Sequence, residues 1–458
     1  MRSPVGVLAM LVALALPGMA AAQTAPPAET TAPLNVVVPN YNGVAVGEIG
    51  SLEANAYVAR SNDASSTFYN PAGLLLAGNA SVSGSAGVFQ FADVTPENLA
   101  GKGGSLQQVP SLVGVVVPRL FGREHWAWGL SAARPYAWSA SSDFERTFDL
   151  GSSVDHVQLS SAAQLSGLQA SFGIGYEQSK RLRLGGTVDL QVTDFARSQS
   201  RADQYATDRG LNALLIEAHS AARLWHLRMA AGVQYDVTPA LRLAAVVRSP
   251  GVSLKRGGSY THEGQASLGL STSTATFFDT DADVEYRLPL EFKAGLAWLG
   301  TRAQVEVDLV SYAAGGRYAA MHTEQTWTLL SDAGQGGPPS VQKPALVVPF
   351  IDSRAVANVA IGGQVRLTPS GSWTIHGGYA TDRSPVGADD TLFTRVNMQF
   401  VTAGFSGRTK SVLGSVGIRY ETGTTDTILI RQLQNGQTLS TRLKISHLGV
   451  VYSAALVF

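Results

Sequence analysis

From about Ala80 onward the chain alternates with a period of two, and this constrains its fold more than any other feature. Leu182, Leu184, Gly186, Val188, Leu190 and Val192 share one parity, and Arg181, Arg183, Gly185, Thr187, Asp189 and Gln191 hold the other. The pattern returns over residues 227–235, 241–247, 305–309 and 373–379. Such alternation predicts strands with two unlike faces. In a soluble sandwich the charged parity is the outer face; in a membrane barrel the aliphatics face lipid and the charges face the lumen. Periodicity alone leaves both readings open.

Segment length and punctuation separate them. Many runs reach about ten residues, the length of a tilted spanning strand, whereas sandwich strands are usually about five or six. Short turns at 119–125, 178–180, 236–240, 300–301, 368–371 and 407–410 alternate with long polar connections at about 92–110, 139–165, 197–223, 255–283, 313–358, 383–395 and 422–442. Seven long and six short connections predict an all-β, fourteen-stranded antiparallel transmembrane barrel with short turns on one side and long loops on the other. Tyr176, Trp225, Tyr235, Trp298, Tyr379 and Tyr420 fall near strand ends, where interfacial girdles lie. The last strand carries Leu448, Val450, Tyr452, Ala454, Leu456 and Phe458 on one parity.

The beginning agrees with export. Arg2, the apolar run 5–16, the Pro17-Gly18 break and Ala20-Ala21-Ala22 form a secretory leader over 1–22, too short for a spanning helix. Composition excludes other classes. With 34 basic and 34 acidic side chains and no basic stripe, the chain has no footprint for nucleic acid. With no Cys it carries no disulfide scaffold, thiolate metal site or thiol nucleophile. No cofactor or metal site is expected.

Residues 23–79 precede the barrel at 80–458. Their first part is rich in Ala, Pro and Thr; residues 54–78 lack sustained alternation and are too few for a core of their own, so the simplest placement is inside the barrel as a hatch. Asp63, Phe68, Tyr69, Asn70, Pro71 and Ala72 are its candidate residues, with Asp63 and Asn70 expected to bond wall charges such as Arg183, Arg228 or Arg242.

The leader, the Asp63-Ala64 pair followed by Asn70-Pro71-Ala72-Gly73-Leu74, and the alternating strands ending in Phe458 together resemble the FadL-type (FadL/TodX-like) long-chain fatty-acid and hydrocarbon transporters of the Gram-negative outer membrane. Trp128-Gly129-Leu130-Ser131 leading to Pro135-Tyr136, the stretch 288–298 and the stretch 377–386 extend the likeness. The chain departs from the pattern at Ala137, where a Gly commonly follows, and in the loop 313–358. The resemblance implies facilitated diffusion of hydrophobic molecules without covalent chemistry, fatty acids by default and aromatic hydrocarbons as runner-up. It further implies a kink on the third strand giving lateral exit at Pro135 and Tyr136, and recognition of Phe458 by barrel-assembly machinery. Membrane lipid and lipopolysaccharide would surround a monomer.

For outer capture, Leu211, Leu214, Leu215 and Ala218 fall at helical spacing with Ile216 beside them, either as a capture groove or as a small surface helix. Phe277 and Phe278 are the next candidates, and His219, Arg223 or Lys255 could pair a carboxylate. Rival readings fare worse. The chain lacks Gly-x-Ser-x-Gly and His-Glu-x-x-His, and Asp389-Asp390 has no nearby His. A general porin would not need the Asn-Pro-Ala segment, and an energised receptor of about 22 strands exceeds this length.

Overall fold

The computed structural model describes residues 36–97, 100–119, 122–149, 154–207, 210–269, 271–332, 338–426, 428–432 and 438–458. The leader and most of the flexible start lie outside them. Fourteen strands pair antiparallel with their chain neighbours: β1 (Ser81–Pro96), β2 (Ala100–Pro118), β3 (Trp126–Ala133, resuming as Ala137–Asp149), β4 (Val154–Ser179), β5 (Leu182–Thr207), β6 (Gly210–Thr238) and β7 (Leu241–Arg248, resuming as Val252–Lys255 and Gly258–Leu268). The circuit continues through β8 (Ser271–Val284, resuming as Glu291–Leu299), β9 (Ala303–Tyr312), β10 (Val356–Arg366), β11 (Trp373–Asp382), β12 (Val396–Arg408), β13 (Val412–Thr425) and β14 (Leu443–Val457). β14 returns to β1, from Ser81 opposite Val457 to Pro96 opposite Leu443, so the barrel is closed.

Burial decides which parity faces outward. On β9, Glu306 and Asp308 are 0% exposed while Val305 and Val307 between and beside them are 41% and 42% exposed. Charges therefore point inward and aliphatics outward, the arrangement a bilayer requires. Tyr235, Trp298, Tyr379 and Tyr420 stand exposed on the outer wall as a girdle.

The six short turns fall where the sequence places them, but four of the long connections are not loops. β4, β5 and β6 run 26, 26 and 29 residues, far beyond the roughly 9–11 that cross a bilayer. Residues 92–110, 139–165, 197–223 and 255–283 largely continue the hairpins outward. Outside the hydrocarbon a ladder still satisfies its backbone but needs no apolar face, so the alternation that marks the lower strands vanishes. The predicted helix is overturned for the same reason: Leu211, Leu214, Leu215, Ile216 and Ala218 lie on β6, paired with β5 on one side and β7 on the other. Two ladders override a helical spacing of leucines.

The loop 313–358 forms a cover over the outer end. Gly316–Ala319 pairs with Phe350–Ser353, and Thr328–Asp332 joins the outer part of β8.

The segment from Val36 to Ala80 fills the lumen. A 3-10 turn at Gly50–Leu52, a single helical turn at Ser66–Tyr69 and a 3-10 helix at Pro71–Leu76 are its regular pieces. Asn70 caps the last, its Oδ1 accepting from Ala72 N at 3.1 Å, and Pro71 stands at the first helical position, where a missing N–H has no consequence. The wall admits this turn because it presents glycines to it. A Cβ at Gly185 would lie 2.3 Å from the Pro71 carbonyl carbon, and one at Gly232 2.2 Å from Asn70 Oδ1.

Gly185→Val is expected to displace the Asn70-Pro71 turn at a cost of about 1–3 kcal/mol while the barrel stays closed. Retained heat-modifiable migration on gels together with faster tryptic cleavage at Arg60 is the expected result; wild-type protease resistance would contradict the close packing.

Candidate functional site

The hatch is anchored by charges buried between it and the wall. Arg60 Nε donates to Glu306 Oε2 at 2.9 Å and its guanidinium also pairs with Glu53. Glu53 Oε1 in turn lies 2.7 Å from His376 Nδ1 on β11, whose Nε2 is 2.8 Å from Ser406 Oγ. Asp308 accepts from Val58 N at 3.1 Å. Removing one member of such a buried set leaves the others uncompensated.

The expected wall partners of Asp63 and Asn70 are corrected. Asp63 accepts from Ser65 N at 2.8 Å and lies 3.5 Å from Tyr57 OH, both within the hatch. Asn70 Nδ2 donates to the wall, but to the Val233 carbonyl at 3.0 Å. Arg183 pairs with Asp236. Arg242 also binds Asp236 and donates to the hatch carbonyl of Ala59 at 3.3 Å. Arg228 donates to the Ser249 and Pro289 carbonyls at 3.0 and 2.8 Å. Tyr69 OH donates within the hatch, to Val46 O at 2.8 Å.

Above the hatch a second cluster faces the lumen. Arg248 lies 3.0 Å from Glu291 and 3.1 Å from Asp189, Lys293 lies 2.7 Å from Glu291, and Arg228 lies 3.8 Å from Glu291. The Arg248 guanidinium donates to Phe68 O at 2.9 Å, and Lys293 Nζ lies 4.6 Å from the centre of the Phe68 ring. Three cations stand against two carboxylates, so the cluster carries one surplus positive charge on the roof of the hatch. Its members occupy inward parity on β5, β6, β7 and β8; that parity is visible in the sequence, their convergence is not.

The outer part of the lumen is apolar. Trp138, Phe144, Val157, Leu159, Leu165, Met398, Leu443 and Ile445 form a buried cluster into which Val36, Val37 and Val38 insert. Trp138 Nε1 donates to Val36 O at 2.9 Å, fixing the segment there. Beside it lies a cavity of about 20 Å³ lined by Val38, Asn40, Tyr136, Trp138, Asp382 and Glu421, room for roughly one water.

The wall beside this cavity is interrupted. β2 pairs with β3 as far as Leu112 opposite Ala133 and resumes only at Gly104 opposite Ser141. Between those rungs Arg134 N donates to Ser111 O at 3.0 Å, and Pro135 has no N–H to offer. Tyr136 turns into the lumen, its OH 2.7 Å from Thr193 Oγ1 and accepting from Gln191 Nε2 at 3.0 Å. On the other flank the ladder passes through a one-residue bulge, from Ala133 opposite Gln169 to Ala137 opposite Ser166. The break therefore opens toward β2 alone.

The outer candidates are not brought together. Phe277 is buried against Trp327 and Tyr260, while its neighbour Phe278 faces outward, 66% exposed, because adjacent strand residues point to opposite faces. Leu214 and Ile216 likewise oppose Leu215. His219, Arg223 and Lys255 are exposed on the outward parity, and Arg223 pairs with Asp194 at 2.6 Å.

No family model and no curated protein matches the sequence. Solved structures match over nearly the full length. A FadL homologue from Pseudomonas aeruginosa aligns over 92% of this chain and 100% of its own, with TM-score 0.60 and 15% identity. The toluene transporter TodX of Pseudomonas putida aligns over 92% and 99%, with TM-score 0.58 and 14% identity. TbuX, the toluene transporter of Ralstonia pickettii, aligns over 92% and 99%, with TM-score 0.52 and 14% identity. The chain shares the fourteen-stranded fold of these FadL-type barrels.

Arg60→Met is expected to weaken hatch docking by about 3–5 kcal/mol, since Glu53 and Glu306 are left buried. Maleimide labelling of an Ala72→Cys reporter in this otherwise cysteine-free chain should accelerate strongly; unchanged labelling would deny the anchor. Docking should also depend on pH. Burial, reinforced by Asp63, pushes the Glu48 carboxyl up from 4.5 to about 8. A raised carboxyl contributes fully below its ordinary value and loses that contribution as pH rises through about 8. Labelling expressed relative to an exposed cysteine control at the same pH should therefore be slower at pH 6 than at pH 9, and Glu48→Gln should flatten that ratio.

Proposed function

We propose that this chain carries hydrophobic molecules, long-chain fatty acids first among them, across the outer membrane of a Gram-negative bacterium by facilitated diffusion. The observation that carries the reading is an apolar outer lumen, packed by Val36–Val38 down to a cavity of about 20 Å³, together with an interrupted wall beside it and a hatch cluster that carries one surplus positive charge. An acyl chain suits the cluster around Trp138 and Leu165, and its carboxylate suits Arg228, Arg248 and Lys293. Movement of Val36–Val38 and of the hatch would open this packed region into a chamber, and the gap between β2 and β3 at Pro135 and Tyr136 would let the ligand leave sideways. The inward-turned Tyr136, packed over Gly167, supports that exit as a gate.

Aromatic hydrocarbon uptake is the second reading, favoured by the chamber's apolar lining and by the toluene transporters among the structures of this fold. Phe458, whose N–H donates to Ala80 O at 2.9 Å while its side chain stays 74% exposed, suits recognition by barrel-assembly machinery in this reading.

Uptake of radiolabelled oleate and toluene by cells lacking their own transporter tests both. Lys293→Met is expected to lower oleate uptake about tenfold, a loss of roughly 1.4 kcal/mol, and to leave toluene unchanged. Equal loss of both substrates would remove the carboxylate role. Passage of small hydrophilic solutes, with neither compound taken up, would make the chain a porin.

A further inference from the structure

The wall is interrupted a second time, between β7 and β8. β7 pairs with β8 up to Arg248 opposite Glu291, and the ladder resumes only at Gly258 opposite Ala282. Residues 249–257 and 283–290 lie between those rungs, and among the described residues one backbone bond joins them, Gly251 N to Leu288 O at 3.0 Å. Each edge contains a proline, Pro250 and Pro289, which can donate nothing across the gap.

The β8 edge has turned inward instead of pairing. The Tyr286 carbonyl lies 2.9 Å from His226 Nε2, and the Pro289 carbonyl accepts from Arg228. Tyr286 and Leu288 are buried with Leu224, Tyr318 and Ile351 inside the barrel. Outside, Met229, Val252, Leu254 and Leu290 are exposed, within the band that runs on β6 from Tyr235 up to Trp225. Lys255 and Arg256 mark the polar edge just above. An apolar rim facing lipid is thus separated from the buried Leu224, Tyr286, Tyr318 and Ile351 by the Leu288 side chain, over a Gly251 that has none. Register links the two gaps through the wall: His226 pairs with Gln191, the residue that donates to Tyr136 OH.

We propose that the gap between β7 and β8 is a second lateral portal, closed by Leu288, through which slender apolar ligands such as acyl chains or monoaromatics pass between the lumen and the outer leaflet. This rests on the transport reading above. Two openings, five strands apart, give the lumen exchange with lipid on two sides.

The absence of cysteine makes the test clean. A Cβ at Gly251 would lie 3.0 Å from the Leu288 Cβ, close enough for a disulfide after a small outward shift. In cells expressing Gly251→Cys/Leu288→Cys, oleate and toluene uptake is compared before and after mild reduction, with bond formation verified by mass spectrometry. At least a threefold loss in the oxidised form, restored on reduction, is expected, and Leu288→Ala should raise uptake about twofold in a heat-modifiable barrel. Equal uptake by oxidised and reduced forms, or no gain in Leu288→Ala, overturns the portal; wild-type uptake then leaves the transport reading standing. Failure of the wild type to take up either compound overturns both.

Discussion

A backbone amide that faces hydrocarbon has no water to turn to, so a spanning wall made of strands must close on itself. In this chain the requirement is met at the seam between β14 and β1, and everything else follows from it. Closure leaves an interior that lipid cannot reach, and that interior is where the charges go. It also makes any interruption costly unless the released groups find other partners. Both interruptions obey that condition. At the first, Arg134 N is taken by Ser111 O and the Tyr136 carbonyl by Gly167 N; at the second, the Tyr286 and Pro289 carbonyls turn inward onto His226 and Arg228.

The interior is divided by chemistry rather than by chain segments. Its lower part is ionic, where Arg60, Glu53, Glu306 and His376 tie the hatch to β9 and β11. Its upper part holds the aliphatic and aromatic cluster around Trp138, with Asp382 and Glu421 at its edge. Buried ion pairs add little net stability over an apolar core of the same shape, but breaking one is expensive, which suits a plug that must hold one position. An apolar chamber imposes no such geometry, which suits a place where differently shaped guests are received.

The strand count, the six tight turns and the charged parity of Asp189, Arg228 and Arg248 were legible because a bilayer writes its two faces into alternate residues. The outer hairpins were not, since above the hydrocarbon a ladder can be polar on both faces. Leu211, Leu214, Leu215 and Ala218 imitate a helix, and the neighbouring strands that prevent it are distant information. Phe277 and Phe278 look like a pair in sequence and face apart on a strand. The hatch partners were out of reach for a different reason: Arg60 meets Glu306 across 246 residues, and no local pattern announces it. Pro250 and Pro289 were visible as residues, but they acquire meaning only once they prove to face each other across the wall.

The hatch precedes β1 in the chain and touches strands around most of the circumference, from Gly185 on β5 to Thr402 on β12. The joint that encloses it joins the first strand to the last, the pairing of greatest sequence separation and hence the slowest to find. The plug and the seam are coupled by geometry: the charges of the hatch, Arg60 among them, find wall partners such as Glu306 and His376 on strands far apart in the chain, and the β1–β14 joint holds those strands around them.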